Sequence, residues 1–306
     1  MRIKEIKKKK YVFLGDTNSI NIEIIEKSFN SLKNQVEYIL IGSRKELTDY
    51  LKKIGSKIAI NEVLDPYSFS DYNFKKLNIF NIEKNSTDKF ENLNHQIKVA
   101  NKLSLMTKFD LITMPIDKSI FKKKVNFTGM TEYLGTLNNR NTLMLMQGEI
   151  FSIIPITTHI NIKDVYLNIR KKDLIIFINS LKKNLADKKY DLNFKSIKFI
   201  CYNPHCGEEG TLGIQDKVIN SVISKYRFIS GLLPADSAFL NIKKSTLFIS
   251  TYHDQALIPF KLINQKSYNM TLGLDYKRLS PAHGTAKDIK FKNMSNNSSY
   301  IACMKS

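Results

Sequence analysis

Residues 247–255 read Leu247-Phe248-Ile249-Ser250-Thr251-Tyr252-His253-Asp254-Gln255, an apolar run that leads into a histidine and further polar side chains. Residues 196–206 and 150–159 repeat this order and contain His205 and His159. Each apolar run has the length of a buried strand, and the polar residues follow where that strand would end. Ligands bind at the carboxyl ends of strands in parallel α/β sheets, so the three segments are candidates for one site.

Short apolar runs alternate with amphipathic segments through the rest of the chain. Strands are predicted at residues 11–14, 36–41, 58–60 and 111–114, and helices at residues 20–32, 44–54 and 90–105. A second set of strands is predicted near residues 142–146, 150–157, 196–202 and 247–251, with a helical stretch at 163–184. This alternation predicts a parallel α/β architecture.

Length and composition limit the class of protein. With 306 residues and 42% hydrophobic content, the chain can bury a substantial core in two domains or one large α/β unit. Its apolar stretches fall well short of the ~20 residues that a membrane helix needs, so no membrane span is expected. Residues 1–10 are basic and lack the apolar region of a secretory signal, so a cytoplasmic location is expected. Three cysteines without CxxC spacing indicate neither a disulfide framework nor a zinc knuckle.

The formal charge of +20 raises the question of nucleic-acid binding. The lysines are scattered along the chain, however, and no basic motif with interleaved aromatic residues is present. We therefore expect a solvated, lysine-rich surface and no specific nucleic-acid partner. Non-specific attraction to acidic partners at low salt is compatible with this charge.

Four of the five histidines lie inside dense polar motifs, at residues 157–159, 203–208, 252–255 and 282–286. Imidazole is the commonest protein ligand of divalent metals, so His159, His205 and His253 could converge on one ion. Taken singly, each could instead be a hydrogen-bonded histidine at a strand end. The fifth, His95, lies in a polar helical stretch and is expected to be solvated.

Several further clusters lie at predicted strand ends. Residues 113–118 and 128–133 supply hydroxyls and amides that could bind an anion or could cap helices. Lys261, Asn269 and Arg278 offer donors to phosphate or carboxylate, although each could equally be solvated. Neither a GxGxxG turn nor a GxxxxGK[ST] loop is present, so the sequence supports no standard Rossmann or P-loop nucleotide site.

Taken in order, these motifs resemble the 4-hydroxythreonine-4-phosphate dehydrogenase family of vitamin B6 biosynthesis, which is related in fold to isocitrate and isopropylmalate dehydrogenases. The similar stretches are residues 15–16, 113–118, 128–134, 157–159, 203–213, 231–239, 252–261 and 269–286. The resemblance implies a two-domain α/β fold of the isocitrate/isopropylmalate dehydrogenase type. Residues 1–125 plus 265–306 would form the nucleotide-binding domain, and residues 126–264 the metal, substrate and dimerisation domain.

The resemblance also implies roles for individual residues. A divalent metal (Zn, Mg or Co) would be bound by His159, His205 and His253, with ligands shared across a homodimer interface. The phosphorylated amino acid substrate would be held by Thr131, Lys261, Asn269 and Arg278. The NAD or NADP cofactor would contact the loop of His283, Gly284 and Thr285. The candidates for the proton acceptor are Asp236, Asp254 and Lys261, and Asp254 could instead orient His253.

The implied reaction is the metal-dependent oxidation of 4-phosphooxy-L-threonine by NAD(P) to a β-keto acid, which decarboxylates to 3-amino-2-oxopropyl phosphate. Two residues and one segment depart from the family pattern. Met130 stands where a histidine precedes the threonine, Ala282 stands where an acidic residue precedes His-Gly-Thr, and residues 15–23 replace a glycine- and proline-rich pattern. A dehydrogenase of another phosphorylated hydroxy acid, and a homologue without catalytic activity, are therefore the alternatives.

Overall fold

The computed structural model describes residues 8–306, so most of the basic segment at residues 1–10 lies outside the described residues. Within the described range, no helix is both long enough and apolar enough to cross a membrane.

Strands and helices alternate along the chain, as the sequence predicts. The strands are β1 Lys9–Phe13, β2 Glu37–Gly42, β3 Ile60–Glu62, β4 Leu77–Asn81, β5 Asp110–Thr113, β6 Leu143–Gly148, β7 Phe151–Pro155, β8 Ser196–Ile200, β9 Leu232–Leu233, β10 Thr246–Ser250, β11 Ser267–Leu272 and β12 Arg278–Pro281. The α-helices are α1 Asn21–Leu32, α2 Arg44–Lys53, α3 Lys89–Thr107, α4 Lys118–Lys122, α5 Met130–Leu137, α6 Lys171–Leu185, α7 Gln215–Ile223, α8 His253–Ile263 and α9 Ser298–Lys305.

The chain forms two compact units, Met1–Leu134 with Leu274–Ser306 and Gly135–Gly273. The boundaries predicted from the sequence, after residues 125 and 264, precede the observed ones, after residues 134 and 273. Most of α5 therefore lies in the first unit, and β11 lies wholly in the second.

The first unit contains a parallel sheet in the order β3-β4-β2-β1-β5-β12. Tyr11, Val12 and Phe13 in the central strand β1 are fully buried. A parallel strand that is buried on both faces has a continuous run of apolar residues, so β1 is easily predicted from the sequence.

Side-chain caps and one glycine fix the connections of this unit. Ser43 accepts a hydrogen bond from the backbone N–H of Glu46 and starts α2, and Asp88 accepts one from Phe90 and starts α3. Gly15, at the end of β1, has a positive φ of 69°, and a Cβ there would overlap with the carbonyl oxygen of Pro115. Glycine is therefore required where the β1–α1 turn approaches β5.

The second unit contains a mixed sheet in the order β11-β6-β7-β10-β8-β9. β6 is antiparallel to both β11 and β7, whereas β7, β10, β8 and β9 run parallel to one another. The three strands that precede His159, His253 and His205 are thus immediate neighbours and end at the same edge of the sheet.

The helical stretch predicted at residues 163–184 is wrong as a single helix. A 3-10 helix, Ile162–Asn168, is capped by Asn161, and α6 begins at Lys171. Arg170 is extended between them, and its guanidinium pairs with Asp173 in the first turn of α6. Apolar periodicity continues across the break, so the pattern alone does not show it.

Candidate functional site

The carboxyl ends of β7, β10 and β8 are hydrogen-bonded to one another. Thr157 donates from its backbone N–H (3.2 Å) and its hydroxyl (2.8 Å) to the carbonyl of Thr251. The Gln255 side chain accepts from the N–H of Thr251 (2.8 Å) and donates to the carbonyl of Cys201 (2.8 Å). These bonds fasten together the three strand ends from which the histidine segments leave.

His159 and His253 lie side by side at this edge, with 5.6 Å between ring centroids and 43° between ring planes. Two imidazoles bound to one tetrahedral ion have centroids roughly 5 Å apart, given a metal–nitrogen distance of about 2.0–2.1 Å. His253 Nδ1 lies 2.6 Å from Asp254 Oδ1, which leaves Nε2 for a ligand. A carboxylate beside a metal-binding imidazole is a frequent orienting partner. The pair therefore fits two ligands of one divalent ion.

His205 does not complete this pair within one chain. It is exposed, and residues 8–306 contain no group of three His, Cys, Asp or Glu side chains placed to hold a metal. Its backbone is left-handed (φ 48°), as are the next four residues, Cys206, Gly207, Glu208 and Glu209. Consecutive left-handed residues other than glycine are strained and persist only where the surroundings hold them.

Asp216, in the first turn of α7, holds the base of this left-handed segment. Its carboxylate, 2% exposed, accepts hydrogen bonds from the backbone N–H groups of Tyr202 (2.7 Å) and Asn203 (3.0 Å). It also accepts one from the Asn203 side-chain amide (2.8 Å). Asp216 is not among the site residues that the sequence predicts. An acidic residue in the first turn of a helix is normally an exposed side chain that interacts favourably with the helix dipole.

Replacing Asp216 with asparagine should loosen the His205 segment, because one amide oxygen cannot accept all three hydrogen bonds. We expect a loss of about 1–3 kcal/mol in unfolding free energy, together with a roughly 10–100-fold weaker metal affinity. Urea unfolding and metal titration calorimetry measure the two effects. Asp173→Asn, in the first turn of α6, is the matched control. Unchanged metal affinity in a less stable variant would show that Asp216 serves the fold alone.

The Cys206 thiol lies beside His205 and near Cys201. Burial, followed by the hydrogen bond with Cys201, raises the pKa of Cys206 to about 12, and the charge of Asp236 adds to this effect. The group is therefore a thiol at neutral pH, which does not favour a thiolate metal ligand. Asp236 itself is exposed, as is Lys261 in the last turn of α8.

Arg278 forms a buried cationic centre in the first unit. It is 2% exposed, donates from Nε to the Thr113 hydroxyl (2.9 Å) and from a terminal nitrogen to the Thr131 hydroxyl (3.3 Å). Burial lowers the pKa of Arg278 to about 10, so the guanidinium stays charged at neutral pH. Strand β12 pairs with β5, which places Arg278 beside Thr113. The structure thus brings together two predicted substrate residues, Thr131 and Arg278, and adds Thr113.

The other two predicted substrate residues lie in the second unit. Asn269 is on β11, and its side-chain oxygen is buried without a hydrogen-bond partner among the described residues. No hydrogen bond within residues 8–306 links it to the exposed Lys261. A buried oxygen without a hydrogen-bond donor destabilises the fold, so the Asn269 side chain is suited to accept a hydrogen bond from a ligand.

The loop of His283, Gly284 and Thr285 packs on the turn that follows β1. The carbonyl of Thr285 accepts a hydrogen bond from the N–H of Ile20 (3.2 Å). His283 Nδ1 lies 2.8 Å from the Gly284 carbonyl, and its Nε2 is buried without a partner in the described chain. Burial lowers the pKa of His283, so the ring is neutral and presents an unused nitrogen. Such a loop can contact the polar groups of a nucleotide.

Comparison with known proteins decides the family. A family model described as pyridoxal phosphate biosynthetic protein PdxA matches residues 34–306. The chain belongs to the PdxA family. The 4-hydroxythreonine-4-phosphate dehydrogenase of Sulfurihydrogenibium sp. is 31% identical over 304 residues, covering 95% of this chain and 94% of the relative. The enzyme of the same name from Campylobacter fetus is 31% identical over 306 residues, covering 96% and 95%.

Solved structures share the fold of this PdxA-family chain. The 4-hydroxythreonine-4-phosphate dehydrogenase of Klebsiella pneumoniae matches 98% of both chains with a TM-score of 0.81 and 23% identity. A terephthalate 1,2-cis-dihydrodiol dehydrogenase from Burkholderia xenovorans matches 96% of both chains with a TM-score of 0.59 and 17% identity. The α/β dehydrogenase fold class predicted from the sequence is confirmed.

Proposed function

We propose that the protein is a metal-dependent 4-hydroxythreonine-4-phosphate dehydrogenase. It would oxidise 4-phosphooxy-L-threonine with NAD or NADP to a β-keto acid that decarboxylates to 3-amino-2-oxopropyl phosphate, in vitamin B6 biosynthesis. The observation that carries the proposal is the approach of His159 and His253, with ring centroids 5.6 Å apart, where two parallel strands end. Family membership supports the same conclusion, since relatives that match 95% and 96% of the chain bear this enzyme's name.

The residues divide into groups by chemistry. His159 and His253 would hold Zn, Co or Mg, which when bound polarises an alcohol oxygen and stabilises the negative charge that develops on it. Asp254 would keep the His253 ring in place, because its carboxylate already contacts Nδ1. Asp236 and Lys261 are then the candidates to accept the hydroxyl proton.

The substrate phosphate would be bound by the buried guanidinium of Arg278 and the hydroxyl of Thr131. Lys261 and Asn269 would supply the remaining contacts to the substrate. A guanidinium held by hydroxyls in a dry environment is well suited to a phosphate, because the charge is neither solvated nor free to rotate. The loop of His283, Gly284 and Thr285 would contact the nucleotide part of the nicotinamide cofactor, which when bound supplies the hydride acceptor.

A homodimer would complete the metal site with His205 of a second copy. Support comes from large apolar side chains that stay exposed next to the histidines. Ile160 (44% exposed) and Ile162 (66%) follow His159, and Ile258 (60%) and Leu262 (79%) lie on α8, which begins at His253. Exposed apolar patches of this kind mark interfaces more often than solvated surface.

We also propose that the protein acts in the cytoplasm. Its three cysteines, Cys201, Cys206 and Cys303, are all free thiols, which is typical of a reducing compartment.

A second candidate is a dehydrogenase of a different phosphorylated hydroxy acid. It is favoured by Met130, which stands at the start of α5 next to Thr131, where the family resemblance implies a substrate-contacting imidazole. A thioether cannot donate to a polar group of the substrate, so the preferred acid could differ.

The decisive experiment is to add 4-phosphooxy-L-threonine and NAD or NADP to purified protein with Zn, Co or Mg, and to follow reduced cofactor. Reduction that stops on adding a chelator and returns with the metal would support the proposal. If metal binds without reduction, a screen of other phosphorylated hydroxy acids separates altered specificity from lost activity.

A further inference from the structure

The first unit contains a polar cavity that none of the proposed site residues lines. Its volume is about 630 Å³, and it lies between the turn after β1 and the first turns of α3. Among its lining residues are Asn18, Lys84, Lys89 and Gln96. Thr17, Ser86 and Thr87 add hydroxyls to the walls, and Glu46 adds a carboxylate.

Gln96 indicates that this cavity is built for a ligand. The residue is only 3% exposed, and no described residue hydrogen-bonds to its side-chain amide. Buried amides in folded proteins normally have partners, so one that lines a cavity is available to a molecule inside it. Gln96 can offer one such molecule both a donor and an acceptor.

The charges around the cavity favour an anion. Lys89 Nζ lies 2.6 Å from Oδ1 of the fully buried Asp16, and Lys84 Nζ lies 2.7 Å from Glu46. A third ammonium, of Lys290, donates to the Asn18 side chain (2.9 Å). Burial and then the charge of Lys53 lower the pKa of Lys290, and Lys89 adds to this effect. Cations therefore outnumber carboxylates here, and the positive end of the α3 dipole lies beside the cavity, which Lys89 in the first turn lines.

The cavity also adjoins the loop proposed to contact the cofactor. Asn18 lines the cavity, and two residues later Ile20 donates its N–H to the carbonyl of Thr285. A ligand that touches both places is elongated, and the ammonium groups favour an anionic part such as a phosphate in it. A nicotinamide dinucleotide has this form, because its diphosphate separates two ribose units.

We propose that this cavity binds the diphosphate of the dinucleotide cofactor, with Lys84 and Lys89 as its cationic contacts and Gln96 as its amide contact. The inference rests on the proposed function, since it assigns part of the cofactor that the reaction uses. It adds α3 and the segment before it to the cofactor-binding surface, beyond the His283 to Thr285 loop.

The test is titration of the metal-loaded protein with NADH, followed by NADH fluorescence. Lys84→Met is the main variant, because its ion pair with Glu46 is exposed and its loss costs little stability. Lys89 is not replaced, since that would leave the buried Asp16 charge without its partner. Gln96→Leu is the second variant. Lys98→Met, an exposed position on α3, is the matched control.

We expect Lys84→Met to weaken NADH binding about tenfold, as for loss of one charge-assisted contact, and to make binding less sensitive to salt. Gln96→Leu should weaken it by a similar factor, and Lys98→Met should leave it unchanged. Inorganic phosphate should compete with NADH in the unmodified protein and less so in Lys84→Met.

Unchanged NADH affinity in both variants, with melting temperatures equal to that of the unmodified protein, would overturn the proposal. So would a Lys84→Met variant that binds NADH normally but requires more phosphorylated substrate, because the cavity would then hold the substrate phosphate.

Turnover of the unmodified protein is measured separately. If the unmodified protein binds NADH in a way that depends on Lys84 and Gln96 but does not turn over substrate, the proposed function is wrong and the cavity assignment holds. If it turns over substrate and both variants bind NADH with unchanged affinity, the proposed function holds and the cavity assignment is wrong. Failure of the unmodified protein to bind NADH would overturn the cavity assignment.

Discussion

His253→Ala is expected to reduce metal-dependent turnover by about a thousandfold, corresponding to roughly 4 kcal/mol of lost transition-state stabilisation. The structure places this imidazole beside that of His159, and its Nδ1 is already held by Asp254. Its removal would leave His159 alone in that pair. The fall should appear in kcat at saturating substrate and in the stoichiometry of bound metal, measured after dialysis.

His95→Ala is the matched control, because His95 is exposed on α3 and is expected to have no role in the reaction. The His253 side chain is about one-third exposed, so its truncation should hardly change the melting temperature. Normal metal content and normal kcat in His253→Ala would remove the metal pair from the mechanism.

Arg278→Met is expected to raise the KM for 4-phosphooxy-L-threonine by about a hundredfold. Charged hydrogen bonds contribute about 1.5–3 kcal/mol each, and every 1.4 kcal/mol is tenfold in affinity. Arg278→Lys keeps the charge but loses the planar fork that Thr113 and Thr131 hold, so a rise of about tenfold is expected. Steady-state kinetics with varied substrate give both values.

Arg44→Met is the control for Arg278, because the half-exposed Arg44 lies on the surface and forms an ion pair with Glu62, which is about one-third exposed. Since burial lowers the pKa of Arg278 only to about 10, the charge contributed by this residue should not change between pH 6 and pH 8. Equal KM values for the lysine variant and the unmodified enzyme would mean that the guanidinium does not contact the phosphate.

Apolar periodicity alone predicted much of the fold. The helices predicted at residues 20–32, 44–54 and 90–105 correspond to α1, α2 and α3 within two residues at each end. The strands before His159, His205 and His253 also form where the apolar runs occur. The buried face of each of these elements requires apolar residues at a regular spacing, so the residues within the element are enough to predict it.

Other features depend on residues far apart in the chain. The break at Arg170 interrupts a continuous helical pattern, and Asp216 holds a segment that begins fourteen residues earlier at Tyr202. Thr113 meets Arg278 only because β12, near the end of the chain, adds to the sheet beside β5. Contacts between such distant residues leave no periodic pattern in the sequence, so they could not be predicted from the spacing of residues.

The sequence by itself determined that the chain is an α/β protein, and its motifs, spread over most of its length, indicated the family that comparison with known proteins showed. Only the tertiary structure decided which of the motif residues lie close to one another. It placed His159 against His253, left His205 on a left-handed segment apart from them, and buried Arg278 between two hydroxyls. The physical reason is that strand order, not chain order, sets which strand ends adjoin, whereas side-chain chemistry and periodicity are already fixed by the residues themselves.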